Sequence, residues 1–107
     1  MPRYNKLVRD NIPQIIDANG KKYASKIIRD EEYINELKKK SFEELQEYMD
    51  AVTTESALEE LADVLEVIHA LAVYHGSTIE KVEEIRKQKA KSRGGFKKGI
   101  FLKEVDD

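Results

Sequence analysis

Apolar residues recur at three- and four-residue spacing over the middle of the chain, and short polar stretches rich in Gly, Ser and Thr interrupt them. The spacing predicts a helix that opens at Asp30, with Asp30 as its cap, and runs to about Val52. Its roughly 22 residues would span about 33 Å. Ser41 with Glu44 reads as a capping box, which allows a break near Ser41. Thr53-Thr54-Glu55 is the turn. Ser56 with Glu59 makes a second capping box and opens a helix to about His75, where Gly76 stops it. Ser77 or Thr78 caps a last helix from Ile79 to about Lys91, and Arg93-Gly94-Gly95-Phe96 breaks it. Upstream, Tyr4 to Asp10 reads as extended. Pro13 suits the first turn of a short helix capped by Asn11 or Asp10 and closed by Asn19-Gly20. Lys22 to Ile28 has partial strand character, and Ile100-Phe101-Leu102 is a short apolar piece. The pattern is mostly helical, with minor extended segments at the N- and C-terminal ends.

The acidic residues change this picture, because some of them interrupt apolar stripes. Seven residues return to nearly the same face of a helix, so Leu37, Glu44 and Ala51 fall in one line, and Glu47 shares it. In the next helix Glu60, Asp63, Val67 and Tyr74 share a stripe. A short turn joins the two helices, so they are expected to pack antiparallel. Both acid pairs then lie within about two turns of the connection and can face one another. A single Glu-x-x-Glu is ordinarily a solvated helix face. Four carboxylates converging in a partly buried place need a compensating cation, since an unpaired buried charge costs several kcal/mol. Hard oxygen ligands favour Mg²⁺, with Mn²⁺ able to substitute. A di-iron bundle would need two Glu-x-x-His motifs. Only Glu66 to His69 has that spacing, which weakens the di-iron alternative, although a homodimer would duplicate the motif and so keeps it open. His69 reads first as a core or interface histidine, and Glu66 as a polar contact one turn beyond Asp63.

Length and composition bound the rest. The 107 residues suit a single domain, residues 1–107, and a chain of this size buries only a modest core. There is no cysteine, which excludes disulfides, thiolate nucleophiles and cysteine-held zinc. The opening Met1-Pro2-Arg3-Tyr4 has no apolar signal core, and the apolar stretch from Leu61 to Tyr74 is too short and too polar to cross a bilayer. The chain reads as cytoplasmic, without a membrane partner. Its net charge of −2 hides a segregation. Acids crowd residues 30 to 66, whereas residues 86 to 98 hold Arg86, Lys87, Lys89, Lys91, Arg93, Lys97 and Lys98 and no acid. A basic tail can bind nucleic acid without specificity, but neither an aromatic platform nor a reading helix accompanies it, so no specific nucleic-acid partner is expected. After Asp63, Val64, Leu65, Val67, Ile68, Leu71 and Val73 surround their helix almost completely. Such a helix must be covered on all sides, which predicts a homodimer, or a dimer of dimers, that completes the bundle around it.

The acidic motif carries a family resemblance. Glu43-Glu44-Leu45-Gln46-Glu47, twelve residues (48–59), then Glu60-Leu61-Ala62-Asp63 resembles the EExxE–spacer–ExxD signature of MazG-like nucleotide pyrophosphohydrolases. The chain is also similar to the phosphoribosyl-ATP pyrophosphohydrolase branch of the same all-α superfamily. The opening Tyr4-Asn5-Lys6-Leu7-Val8-Arg9-Asp10-Asn11-Ile12-Pro13 and the closing Arg93-Gly94-Gly95-Phe96 resemble a small-protein subgroup. The resemblance implies an all-α fold, an antiparallel helix bundle completed by dimerisation around the acidic helices, with Mg²⁺ held by Glu44, Glu47, Glu60 and Asp63, and hydrolysis of a nucleoside triphosphate between the α- and β-phosphates to a nucleoside monophosphate and pyrophosphate. Glu43 has an accessory place, because it points about 100° from Glu44 around the helix.

A triphosphate also needs cations from the protein. Lys89 and Arg93, four residues apart, are candidates for gripping the β- and γ-phosphates, with Arg93 able to bind bidentately. Gly94 and Gly95 would let backbone amides approach, and Lys6 and Arg9 are further candidates. Competing readings are phosphoribosyl-ATP hydrolysis in histidine synthesis, and a non-enzymatic helical dimerisation or regulatory module whose acids are only a solvated face.

Overall fold

The computed structural model describes residues 4–107, so Met1, Pro2 and Arg3 of the opening stretch lie outside the described residues. Among the described residues there are four helices: α1 (Ile12–Ala18), α2 (Asp30–Asp50), α3 (Thr54–Tyr74) and α4 (Ile79–Arg93). No strand occurs among the described residues, so the fold is all-α. The strand character read into Lys22 to Ile28 is corrected: the segment is irregular and almost wholly exposed. Its β-branched residues find no neighbouring strand to pair with, and strand preference depends on that partner.

Helix ends follow local hydrogen bonding, and the competition among Ser, Thr and Asp residues decides which of them caps. At α3 the cap is Thr53, not Ser56. The Ser56 amide donates to Thr53 Oγ1 at 3.1 Å, which places Ser56 in the first turn. Thr78 caps α4 in the same way, accepting from the Lys81 amide at 3.1 Å. Asp30 is the first residue of α2 rather than its side-chain cap; it has φ +52° and follows an extended Arg29. Ser41 does not break α2. Its hydroxyl donates to the Lys38 carbonyl at 2.6 Å, a bond made back along the helix that leaves the α2 ladder continuous. At the C-terminus of α3, Gly76 sits at φ +73°, where its own amide reaches Val73 and the Ser77 amide reaches the Ala72 carbonyl, both at 2.9 Å. This pair of bonds requires a left-handed residue between them, which glycine adopts without a Cβ clash.

The packing is concentrated in one helical hairpin. Ala51 turns extended after α2, and two residues later Thr53 caps α3. The helices then run back along each other. Tyr33, in the first turn of α2, has its ring 6.2 Å from that of Tyr74, the last residue of α3. Between the tyrosines and the turn, the buried apolar residues are Ile34 and Leu37 from α2 and Val67 and Ala72 from α3, and Glu44 is the buried charged residue. α4 packs against α3 only loosely and buries no residue of its own. The radius of gyration is 18.1 Å, against about 13 Å for a closed globule of this length. One chain is therefore a hairpin with outlying helices. No helix among the described residues is long and apolar enough to cross a membrane.

Candidate metal centre

Four acids foreseen on facing stripes do meet. Glu44 and Glu47 stand one turn apart on α2, and Glu60 and Asp63 one turn apart on α3. Each offers one carboxylate oxygen, and these four oxygens lie within 4.8 Å of one another. The hairpin causes the meeting. Leu37 and Val67 pack the same faces further from the turn, so the acids continue the buried stripes.

Burial is uneven across the set. Glu44 is only 7% exposed, Glu60 and Asp63 are half-buried, and Glu47 is exposed. Glu44 Oε1 lies 3.3 Å from Lys40 Nζ, but Glu44 Oε2 is buried without a hydrogen-bond partner, and so is Glu60 Oε2. Carboxylate oxygens in that condition are costly. Burial pushes the Glu44 carboxyl above its ordinary value; Lys40 opposes the shift and the neighbouring Glu47 adds to it.

Three cations approach from the rim. Lys6 Nζ donates to Glu43 Oε1 at 2.9 Å, and this bond holds the Glu43 carboxyl below the usual range while raising Lys6. Lys40 Nζ lies 3.4 Å from the same Glu43 oxygen. Arg9 Nη2 donates to Asp63 Oδ1 at 2.5 Å. Counting Glu43, five carboxylates face these three cations, a formal deficit of two charges. A hollow of about 240 Å³ opens here, lined by Val8, Arg9, Ile12, Lys40, Glu44, Glu47 and Asp63. Another hollow of about 280 Å³ along α1, lined by Asn11, Gln14, Ile15 and Ala18, has no charged group.

The donor set suits a hard divalent cation. It is all oxygen, it carries excess negative charge, and two of its buried oxygens lack any donor. No histidine belongs to it. Glu66 and His69 are exposed on α3 outside the group, so His69 is no core residue of the single chain.

Of the cations singled out in the sequence, Lys6 and Arg9 reach the acids. Lys89 and Arg93 do not line the hollow; they stand exposed on α4 and make no ion pair among the described residues. The spacing that selected them said nothing about where α4 would lie. Lys40 also reaches the acids, from three and four residues before Glu43 and Glu44, the spacing at which helical charges meet. Its place within Lys38-Lys39-Lys40 makes it look like part of a solvated run. The chain matches no protein-family model, no curated protein and no solved structure.

Proposed function

We propose that Glu44, Glu47, Glu60 and Asp63 hold a divalent cation, Mg²⁺ with Mn²⁺ able to substitute, and that the protein hydrolyses a nucleoside triphosphate between its α- and β-phosphates. The observation that carries the reading is the convergence of four carboxylates, two of which, Glu44 and Glu60, have a buried oxygen without a partner. Glu44 makes the cluster more than a solvated face, because its side chain is nine-tenths buried yet has an oxygen with no partner. The choice of reaction is supported by the MazG-like spacing of the same residues.

A cation bound there offsets phosphate charge and acidifies water. The chain's own residues do the rest. Glu44 and Glu60, each with a buried oxygen that lacks a partner, would fix the position of the cation. A carboxylate of the set accepts the proton as water attacks the α-phosphorus in line and pyrophosphate leaves. Arg9 lines the hollow and would be within reach of a substrate's phosphates there, while Glu43 holds Lys6 nearby. Lys89 and Arg93 would join such a site only from an α4 placed by a second copy. Clearing unwanted or modified nucleotides fits this chemistry.

The test is to incubate the purified protein with Mg²⁺ and a panel of canonical, deoxy and modified triphosphates and phosphoribosyl-ATP. Pyrophosphate is expected with Mg²⁺ and is expected to vanish with EDTA. Release from phosphoribosyl-ATP alone would transfer the activity to histidine synthesis. Release from none of them, by folded protein with metal present, would leave the helical regulatory module as the better reading.

Dimerisation belongs to the same proposal. Phe42, Leu45 and Met49 on α2, and Leu58, Leu61, Leu65 and Ile68 on α3, are all exposed. Each stripe is turned roughly 100–180° in the chain direction from the residues facing the partner helix. Because the helices run in opposite directions, both stripes turn toward the same side of the hairpin. That side then carries seven exposed large apolar residues, which a second copy would cover. Sedimentation equilibrium is expected to give a dimer for the native chain and a monomer for Leu65→Glu. A native chain that sediments as a monomer contradicts the assembly.

A further inference from the structure

We propose that Arg9 is a built-in counter-ion of the carboxylate centre, bound to Asp63 until a divalent cation displaces it, and then free to take a phosphate. This rests on the metal reading above. The segment before α1 is laid over the centre as a strap. Lys6 pins it to Glu43, Val8 and Ile12 line the hollow, and Arg9 reaches Asp63.

The two pins are not equivalent. Glu43 lies outside the four-oxygen group, whereas Asp63 belongs to it. A cation entering the group competes with Arg9 and leaves Lys6 alone. Arg9 must move or be outcompeted. Its hold suits exchange. A single Nη2 donor reaches Asp63 Oδ1, and the two side chains are 55% and 38% exposed. An exposed pair of that kind contributes little stability, while a divalent charge interacts with all four carboxylates at once. The strap remains anchored through Lys6 while the Arg9 side chain swings.

Two consequences follow. Metal and Arg9 oppose each other reciprocally, since a coupling between two ligands acts equally on both. The displaced guanidinium stays at the rim of the hollow, and its planar fork matches a phosphate. Metal binding would thus create the anion site, and the phosphate ligand would enter second.

Mn²⁺ affinity, read by the loss of the free-ion electron paramagnetic resonance signal, tests this without any turnover. Arg9→Gln is expected to bind Mn²⁺ about tenfold more tightly than the native chain. Lys22→Gln, which removes an equal charge from the exposed irregular segment, is expected to leave the affinity within about twofold. In the native chain, Mg²⁺ is expected to shift the Arg9 Nε resonance, a readout independent of whether the variant folds. Equal or weaker Mn²⁺ binding by Arg9→Gln with native helical content overturns the displacement and spares the metal site. An Arg9 resonance indifferent to saturating Mg²⁺ does the same. Absence of Mn²⁺ binding in all three proteins overturns the metal reading, and the displacement with it.

Discussion

Replacing Glu44 by Gln is expected to have opposite effects on stability and activity. Mg²⁺-dependent pyrophosphate release should fall at least about a thousandfold, equivalent to about 4 kcal/mol of barrier. The metal-free protein should become more stable, by about 1 kcal/mol near neutral pH. Glu44 is the most buried carboxylate, and one of its oxygens has no donor. Its carboxyl is raised by burial, so the folded state resists the charge that the unfolded chain accepts. The sign follows from linkage. Stability associated with protonated Glu44 is complete below its unfolded value and is lost as the pH rises through the higher folded value. Glu43 acts in the other direction, because Lys6 lowers its carboxyl and that contribution is lost as the pH falls through the folded value. The difference between Glu44→Gln and native protein isolates Glu44. Its stabilisation should grow as the pH rises across the carboxylate range and should reverse in saturating Mg²⁺, which stabilises only the protein that binds it. Thermal melts with and without Mg²⁺ check this. A metal-free variant less stable than the native chain, with an undiminished response to Mg²⁺, would contradict it.

Leu37→Ala is expected to remove about 2–4 kcal/mol of stability, measured by urea denaturation at fixed protein concentration. Leu37 is the most buried apolar residue of the hairpin, at 3% exposure, and lies one heptad before Glu44 on the same face. Truncation leaves a cavity between α2 and α3, with few other buried side chains available to close it. The substitution removes no ligand, so in conditions where the variant remains folded its Mn²⁺ affinity should stay near native. A cost below about 1 kcal/mol would mean that the hairpin is held chiefly from outside, by the partner chain.

How much of this was written in the sequence depends on the range of the interaction. The meeting of Glu44, Glu47, Glu60 and Asp63 was legible because helical period and a short turn fix it locally. The stop at Gly76 was legible for the same reason. The cap at Thr53 was misplaced by three residues, since Thr53 and Ser56 offer the same hydroxyl chemistry and only the backbone path separates them. The irregular run from Lys22 to Ile28 resembled a strand because side-chain type alone cannot show whether a partner strand exists. Arg9 and Lys6 were recognisable as useful cations, but their pairing with Asp63 and Glu43 spans 54 and 37 residues of chain, beyond any local pattern. The exposure of Lys89 and Arg93 has the same origin, since α4 makes too few contacts for periodicity to fix its placement.

Titration of Mn²⁺ into the native chain and Asp63→Asn decides whether the four-carboxylate centre binds a divalent cation. The native chain is predicted to remove Mn²⁺ from the free-ion signal in a saturable way that Mg²⁺ reverses, and Asp63→Asn to lose most of that affinity while keeping its helical content. Native protein that leaves the free-ion signal unchanged, or a variant that binds Mn²⁺ as tightly as the native chain, would contradict it.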